Sequence, residues 1–312
     1  MRKKLSLEQS PHMTLVEGCN KYLENCRQRN LSEMTILHYG ESYQHFYKFF
    51  GKDMPLSEMT KAKYDSFLGY LRTISQNDMT IQCYQRNLMT VLRFLMKEGD
   101  MERFEMTAIR ASETTIETYT DEEMRILLKK PNLRKCSFFE YECWVMVNFL
   151  FSTGVRQRSL INIKVGDVDL DNGILTVRVT KNRKVLVVPI NQTLVSILKE
   201  YLKHRQHQSS DDWLFCNSFG QQLIKTGCYQ MLQRYQKARG VETMGVHRYR
   251  HTFAKHWILN GGNVVTLSKL LGHSSLNITQ HYINLVTTDL TKQVEEINLL
   301  DKFSATKKKM KL

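Results

Sequence analysis

The chain has 312 residues, of which 42% are hydrophobic, and it carries a formal net charge of +14 at pH 7. This length suffices for two domains of about 100 to 200 residues, each able to bury a core. No run approaches the roughly 18 apolar residues of a membrane-spanning helix, and the start "MRKKLSLEQS" lacks the apolar stretch of a signal peptide. We therefore predict a cytoplasmic protein with no membrane segment.

The positive charge is concentrated in the second part of the chain. Sixteen basic against 15 acidic residues give residues 1–118 a net charge of +1, whereas 29 against 16 give residues 119–312 a net charge of +13. This excess favours an anionic partner, either nucleic acid or a membrane surface. The seven cysteines are odd in number and form no CxxC pair, which argues against a zinc ribbon and against a disulfide framework.

The first hundred residues show apolar and aromatic side chains at helical spacing, and four helices fit this region. Helix starts are predicted at Ser32, Ser57 and Asp78, because their side-chain oxygens can cap free backbone amides. Helix ends are predicted at Gly51 and Gly99. The region is expected to form a helical domain.

A change of composition marks a predicted domain boundary. Residues 105–119, "EMTAIRASETTIETY", have no clear period and are rich in Thr, Ser and Glu, as is typical of an exposed connector. We predict a helical domain over residues 1–110, a linker over 111–118, a second domain over 119–300 and a basic tail over 301–312. The tail ends in "KKKMKL", which favours a phosphate-binding arm over structure.

The second domain combines helices with the strand signals of the chain. "TDEEMRILL" opens one helix, and "FFEYECWVMVNFLFSTG" is typical of a buried helix that ends at Gly154. Three strands then follow, "INIKVGDVDL", "ILTVRVTK" and "VLVVPI", separated by turns at residues 171–173 and 182–184. Helical periodicity returns after Gln192. The predicted fold class is mainly α with a small antiparallel β-sheet, a mixed α+β domain after a helical one.

The stretch "GVHRYRHTFAKHW" is the most unusual in composition. His247, Arg250 and His251 are spaced to share one face of a helix. A zinc site is disfavoured because Arg248 and Arg250 would repel a cation. Two interpretations remain, namely a solvated helix face or an anion site in which guanidinium groups bind a phosphate and imidazoles donate or carry protons.

Further motifs accompany this stretch in a specific order. "TGVRQRSL" contains Arg156, the predicted hairpin carries Lys181, and "LLGHSSLNITQHY" contains His273 and Tyr282. With these motifs the chain resembles the tyrosine recombinases, the phage integrase family, across residues 119 to about 290. The preceding helical region looks like their core-binding, SAM-like domain.

The resemblance implies a reaction and a set of residues that perform it. Arg156 and Arg250 would hold the scissile phosphate of DNA while Tyr282 attacks it, forming a 3′-phosphotyrosine and freeing a 5′-hydroxyl. Lys181 would protonate the leaving 5′ oxygen, and two histidines would assist. No metal and no cofactor are implied. The complete implied catalytic set is Arg156, Lys181, His247, Arg250, His273 and Tyr282.

Elementary chemistry agrees with this assignment. The non-bridging oxygens of a reacting phosphodiester grow more negative, and two arginines with two imidazoles can stabilise that charge without a metal. A free tyrosine has a pKa of about 10, so a neighbouring base or cation must activate it. His251 and His281 are predicted to be structural neighbours of the site. Ser159 departs from the family, which usually has an acid there to orient the first arginine.

The resemblance also implies partners. These are double-stranded DNA with inverted-repeat core sites, a homotetramer assembled through the amphipathic segment "TTDLTKQVEEINLL", and DNA-bending accessory proteins in a nucleoid-associated setting in the bacterial cytoplasm. An additional arm-binding module is not expected. The biological role is left open between integration, excision or transposition of a mobile element and Xer-like resolution of chromosome or plasmid dimers. The motifs are also compatible with a type IB topoisomerase and, in a different class, with a non-catalytic DNA-binding regulator.

Overall fold

A computed structural model describes residues 13–109, 116–180 and 184–284. The chain divides into two compact units, with the division between Thr114 and Thr115. In the described ranges, no helix has both the length and the apolar character needed to cross a bilayer.

The described residues of the first unit form four α-helices, as the sequence predicts. Their aromatic and aliphatic faces meet in one core around Tyr43, Phe46, Tyr64 and Phe67. Such burial is the main source of helix stability in a unit of this size. The helices are α1 (Leu15–Gln28), α2 (Glu33–Phe50), α3 (Lys61–Ile74) and α4 (Asp78–Glu98).

The predicted helix boundaries of the first unit are partly right. Ser32 caps α2, and Gly51 and Gly99 end α2 and α4. The prediction that Ser57 begins a helix is wrong. Leu56 bonds through its amide to the carbonyl of Met13, so the segment forms one 3-10 turn.

Helices α3 and α4 are capped by residues other than the predicted Ser57 and Asp78. Thr60 caps α3, and its hydroxyl accepts a hydrogen bond from the amide of Lys63. Asn77 caps α4, so Asp78 is the first residue of that helix rather than its cap. The side-chain oxygen of Asn77, one position before the predicted cap, accepts from the free amides of the first turn, so the predicted start of α4 is wrong by one residue.

Residues near both ends of the stretch 105–119 form hydrogen bonds within the compact units. On the first unit, the side-chain oxygen of Gln85 accepts from the amide of Ile109 at 2.7 Å, and the Tyr64 hydroxyl donates to the carbonyl of Thr107 at 3.0 Å. On the second unit, Tyr119 is buried and its amide donates to the Thr252 hydroxyl at 2.9 Å. Both ends of this stretch are therefore fixed by hydrogen bonds.

The second unit has helices before and after a three-stranded antiparallel sheet of order β1-β2-β3. This confirms the predicted fold class. The elements are α5 (Asp121–Leu128), α6 (Phe138–Thr153), α7 (Gln157–Leu160), β1 (Val168–Asp169), β2 (Ile174–Val177), β3 (Leu186–Pro189), α8 (Gln192–His204), α9 (Lys225–Ala238), α10 (Val246–Leu259), α11 (Val264–Leu270) and α12 (Asn277–Asn284).

The first strand is much shorter than its sequence predicts. The amides of Val165 and Gly166 bond to the carbonyls of Asp212 and Ser210, and these bonds hold residues 165–167 in a 3-10 turn. Only Val168 and Asp169 remain to pair with β2. The turn at residues 171–173 lies where predicted and leads into β2.

Helix α6 lies at the centre of the second unit. Most of its side chains are buried, from Tyr141 to Leu150, and it packs against α5, α8, α9 and α10. A helix that is apolar on every side needs neighbours on every side, as the sequence predicts for this segment. Its end at Gly154 starts the chain segment that carries Arg156.

Candidate active site

Two glycines end the helices that surround the site. Gly154 follows α6 with φ of +61°, and Gly272 follows α11 with φ of +60°, a conformation that favours glycine. A Cβ on Gly154 would lie 2.5 Å from Phe253, and one on Gly272 would lie 3.2 Å from Leu186. These glycines allow tight turns, with Arg156 two residues after Gly154 and His273 directly after Gly272.

Arg250 is held at the carboxyl ends of these two helices. Its guanidinium donates to the carbonyl of Gly154 at 2.8 Å and to that of Leu271 at 2.8 Å, and only 4% of the residue is exposed. Burial and then the charge of Arg156 lower its pKa to about 10, so it stays charged at pH 7. Helix carbonyls without intrahelical partners suit a cation at this place.

Arg156 meets Arg250 at the same carbonyl. Its guanidinium donates to the carbonyl of Leu271 at 3.4 Å, and burial lowers its pKa. Neither guanidinium forms an ion pair with a carboxylate of the described residues. Both arginines line a cleft of about 400 Å³ together with His273 and Lys184. Two adjacent cations without acidic partners are well suited to an anion such as a phosphate.

Ser159, which departs from the family pattern, does not orient Arg156. Its hydroxyl donates to the carbonyl of Val179 at 2.9 Å, and the residue is 5% exposed. The serine thus joins α7 to the chain beyond β2. Within the parts of the chain that the structure describes, no other carboxylate takes over the role of the usual acid, and a backbone carbonyl holds Arg156 instead.

Tyr282 lies in α12 with only 3% of its surface exposed. It packs in a small apolar cluster with Ala254, Ile258 and Leu267. Its hydroxyl is 2.8 Å from Nδ1 of His251. Burial raises the pKa of the phenol, while the nearby positive charge of Arg250 opposes that rise.

His273 is fixed through both ring nitrogens. Nε2 lies 2.8 Å from the Arg250 guanidinium, and Nδ1 lies 2.8 Å from the hydroxyl of the fully buried Thr279. Because a guanidinium only donates, Nε2 accepts and Nδ1 carries the proton. Burial and the charges of Arg250 and Arg156 lower the pKa of His273 to about 4, so the ring is neutral at pH 7.

The position of α10 is fixed by hydrogen bonds on the side of Tyr249, and its histidines lie beside Arg250 and Tyr282. The hydroxyls of Tyr119 and Tyr249 both accept from the buried amide of Gln236, at 2.6 and 2.7 Å. His247 lies at the surface of α10, and its ring centroid lies 6.2 Å from that of His251. Neighbouring atoms still remove part of the water around the ring, and this partial desolvation and then the charge of Arg250 lower the pKa of His247.

The structure thus brings together five of the six predicted catalytic residues. Lys181 lies outside the described residues, as does the side chain of His281. Lys184, three positions after Lys181, lines the cleft. In the described ranges, the structure has no group of three or more side chains able to ligate a metal.

His251 is predicted from the sequence to be a structural neighbour of the site. In the structure its ring contacts the hydroxyl of Tyr282. The available signal was its position four residues after His247 and directly after Arg250, which places all three side chains along one side of α10.

Comparison with known proteins decides the family. The family model described as the phage integrase family matches residues 117–288, and the phage integrase SAM-like domain matches residues 14–109. The chain belongs to the phage integrase family of tyrosine recombinases. It is 30% identical over 240 residues to tyrosine recombinase XerA of Thermococcus kodakarensis, covering 76% of this chain and 81% of that protein. It is 24% identical over 281 residues to XerD of Listeria innocua, covering 85% and 94%.

Solved structures of tyrosine recombinases share the fold. A XerH recombinase in a post-cleavage complex with its difH substrate gives a TM-score of 0.68 at 21% identity, covering 91% of this chain and 85% of that one. The Tn1549 transposon integrase bound to transposon right end DNA gives a TM-score of 0.72 at 16% identity, covering 90% and 100%. These likenesses show that the chain has the fold of a tyrosine recombinase.

Proposed function

We propose that this recombinase cuts and rejoins DNA at specific sites through a 3′-phosphotyrosine on Tyr282. One observation carries the proposal. Arg156 and Arg250 donate to the same backbone carbonyl, and neither pairs with a carboxylate of the described residues. The buried phenol of Tyr282 lies next to them. A non-catalytic regulator would not need a phenol bonded to an imidazole beside two cations. A type IB topoisomerase would use the same chemistry but act as a monomer, so the oligomeric state on DNA distinguishes the two functions.

The reaction is an exchange of phosphate esters. The oxygen of Tyr282 forms a bond to phosphorus as the bond from phosphorus to the 5′ oxygen breaks. Arg156 and Arg250 stabilise the charge on the non-bridging oxygens, and Lys181 gives a proton to the leaving oxygen. Attack by the 5′-hydroxyl of a partner strand reverses these steps and joins the strands. The covalent bond to Tyr282 conserves the ester, so no nucleotide cofactor is consumed.

Tyr282 lies beside the cleft rather than in its lining. Only 3% of the residue is exposed.

The direct test of this function is recovery of cleaved sites. The protein is mixed with duplexes that carry a random central segment, and the covalent adducts are trapped with denaturant, collected on a filter and sequenced. We expect recovery of a core sequence with inverted repeats. Failure of the wild-type protein to form any adduct with the pool, and with DNA from the flanks of its own gene, would contradict the proposed function.

The role of Lys181 can be tested by changing the leaving group. Without a positioned general acid, Lys181→Ala should slow cleavage by about 10²- to 10⁴-fold. A thiol has a much lower pKa than an alcohol, so a duplex with sulfur in place of the bridging 5′ oxygen needs no proton donor. We expect Lys181→Ala to cleave the sulfur-bridged duplex at close to the wild-type rate in a single-turnover assay.

Lys184→Ala is the matched control for this experiment, because Lys184 lines the same cleft. It should show no selective defect on the oxygen-bridged duplex. Equal defects of Lys181→Ala on both duplexes would assign Lys181 to phosphate binding only. A selective defect in Lys184→Ala would transfer the role of the acid to that residue.

A groove on the second unit supports assembly through the C-terminal segment. It has a volume of about 550 Å³ and lies between β3, α6, α10 and α11. Its apolar lining includes Phe151, Val188, Phe253, Trp257 and Leu270. The segment "TTDLTKQVEEINLL", which lies outside the described residues, has apolar residues at helical spacing. We propose that this segment of one protomer occupies the groove of the next, giving a tetramer on two duplexes.

Removal of residues 288–312 should leave binding to a single site within about threefold but should abolish tetramers and strand exchange. Trp257→Ala in the full-length chain should give the same phenotype, because it alters the groove rather than the segment. Assembly is measured by light scattering of the protein on synthetic four-way junctions. Normal recombination by the truncated protein would exclude this mode of assembly and would favour a monomeric topoisomerase.

Two biological roles are proposed for the recombination reaction. Movement of a mobile element fits the structural likeness to a transposon integrase, and Xer-like dimer resolution fits the relatives with that name. The DNA around the gene distinguishes the two. Inverted core repeats at the ends of an element would favour mobility, whereas a solitary chromosomal gene would favour resolution. Any DNA-bending accessory protein would be identified in the same experiments.

A further inference from the structure

Three histidines of the described chain lie near the proposed nucleophile, and one of them contacts its hydroxyl. Nδ1 of His251 is 2.8 Å from the oxygen of Tyr282, with ring centroids 5.7 Å apart. The ring of His273 lies parallel to that of Tyr282 at 6.4 Å, and its Nε2 already accepts from Arg250. His247 lies one turn earlier on α10 and is exposed. The phenol therefore has a single imidazole partner among them.

The neighbours of the phenol decide which way its proton points. Arg250 is close enough to Tyr282 for its positive charge to lower the pKa of the phenol. A guanidinium cannot accept the phenol proton, whereas a neutral imidazole can, so we assign the phenol as the donor to Nδ1 of His251. In this arrangement His251 is a neutral ring that presents the lone pair of Nδ1 to Tyr282.

The surroundings of His251 keep it in that neutral form. Burial and the positive groups on its own helix, His247, Arg250 and Arg248, lower its pKa to about 4. At neutral pH the ring therefore has an acceptor nitrogen. A phosphate bound between the arginines would neutralise part of this positive charge, which raises the affinity of the ring for a proton at the moment when DNA is in place.

We propose that His251 is the general base that accepts the proton of Tyr282 during attack on DNA. In this step the phenol oxygen forms its bond to phosphorus, its proton moves to Nδ1 of His251, and the bond from phosphorus to the 5′ oxygen breaks. During rejoining, the imidazolium returns the proton to the tyrosine oxygen as that oxygen leaves phosphorus. This inference rests on the proposed function and adds a catalytic residue to it.

The physical need for such a group follows from the burial of the nucleophile. A buried phenol has a pKa above its ordinary value of about 10, so very little phenolate exists at pH 7. Arg250 reduces this cost but cannot take up a proton. A positioned base contributes about 10²- to 10⁴-fold to a proton transfer, and the loss of His251 should slow cleavage by a factor in that range.

The test uses the acidity of the nucleophile itself. Tyr282 is replaced with 3,5-difluorotyrosine by amber suppression, which lowers the pKa of the phenol well below that of tyrosine. The substrate is the duplex recovered from the random pool, made with sulfur at the bridging 5′ position so that the leaving group needs no acid. Adduct formation is measured in single turnover for the wild-type protein and for His251→Ala, each with tyrosine or difluorotyrosine at position 282.

We expect His251→Ala to be slowed by about 10²-fold or more with tyrosine, and at least tenfold of this loss to be restored with difluorotyrosine. His251→Asn is the second variant, because its side-chain amide can occupy the position of Nδ1 and accept a hydrogen bond but cannot hold a proton. It should be nearly as slow as His251→Ala. His207→Ala, which removes an exposed histidine of the same unit, should react at the wild-type rate.

Three outcomes would overturn the assignment. A wild-type rate in His251→Asn, or equal defects of His251→Ala with tyrosine and with difluorotyrosine, would reduce His251 to a residue that positions the phenol. A wild-type rate in His251→Ala would remove it from the reaction entirely. In all these cases the wild-type adduct on Tyr282 would still support the proposed function, whereas absence of that adduct would contradict the function itself. Thermal unfolding of each variant shows whether α10 and α12 remain packed.

Discussion

Replacing Tyr282 with phenylalanine is expected to abolish the covalent protein–DNA adduct while leaving affinity for the site within about twofold. The substitution removes the only atom that can form the ester, so the loss of cleavage should be complete. Affinity should change little, because many phosphate contacts supply it and one hydroxyl is small beside them. The phenylalanine ring can keep the contacts with Ala254 and Leu267, so the fold should persist.

The adduct is measured as protein-bound labelled DNA after denaturation, and affinity is measured by gel shift at fixed salt. Tyr229→Phe serves as the control, because Tyr229 is 39% exposed on α9. It should form adduct at the wild-type rate. Any adduct in Tyr282→Phe would mean that another residue is the nucleophile.

Replacing Arg250 with alanine is expected to reduce the cleavage rate by about 10²- to 10³-fold, the loss typical of one removed charge-stabilising donor. The defect should remain on the sulfur-bridged duplex, because the phosphate still develops charge when the leaving group departs without a proton. This separates Arg250 from Lys181. Arg250→Lys should restore little, since a single ammonium cannot donate both to the carbonyls of Gly154 and Leu271 and to a phosphate.

Loss of Arg250 should also lower the midpoint of thermal unfolding. The carbonyls of Gly154 and Leu271 lose a charged donor, and each unsatisfied buried group costs about 1 to 3 kcal/mol. Arg125→Ala is the control for charge, because Arg125 is exposed on α5 and pairs only with Glu122 among the described residues. It should leave the midpoint and the cleavage rate unchanged. A wild-type cleavage rate in Arg250→Ala would exclude Arg250 from the phosphate site.

Sequence patterns predicted the features of this fold that depend on local chemistry. Gly51, Gly99 and Gly154 end helices where predicted, and each adopts a positive φ that glycine tolerates. The largely apolar run of α6 indicated a buried helix with neighbours on several sides. The three strands were predicted in the right order, since their turns carry residues with known preferences.

Features that depend on distant contacts could not be predicted in the same way. The first strand is short because residues 165 and 166 bond to the loop at residues 210–212, which no local pattern indicates. Tyr119 is likewise held by a distant residue, because its amide donates to the hydroxyl of Thr252. Tertiary hydrogen bonds decided both features.

The candidate site also combines features that the sequence predicted with one that depends on tertiary packing. The resemblance to the tyrosine recombinases implied that Arg156, Arg250 and Tyr282 meet. The partner of the phenol was not predictable, because the spacing on α10 places His247 and His251 equally well along the helix. Only the packing of α12 selects His251.

The central claim is that Tyr282 carries the DNA, and one measurement tests it most directly. Adducts formed on the sulfur-bridged duplex are digested with nuclease and trypsin and examined by tandem mass spectrometry. Cleavage after Lys269 and Lys292 places Tyr282 as the single tyrosine in its peptide. We predict a nucleotide joined through its 3′ phosphate to Tyr282, with the released strand ending in a 5′ thiol. A nucleotide on any other residue, or a 5′ phosphate linkage, would contradict the account.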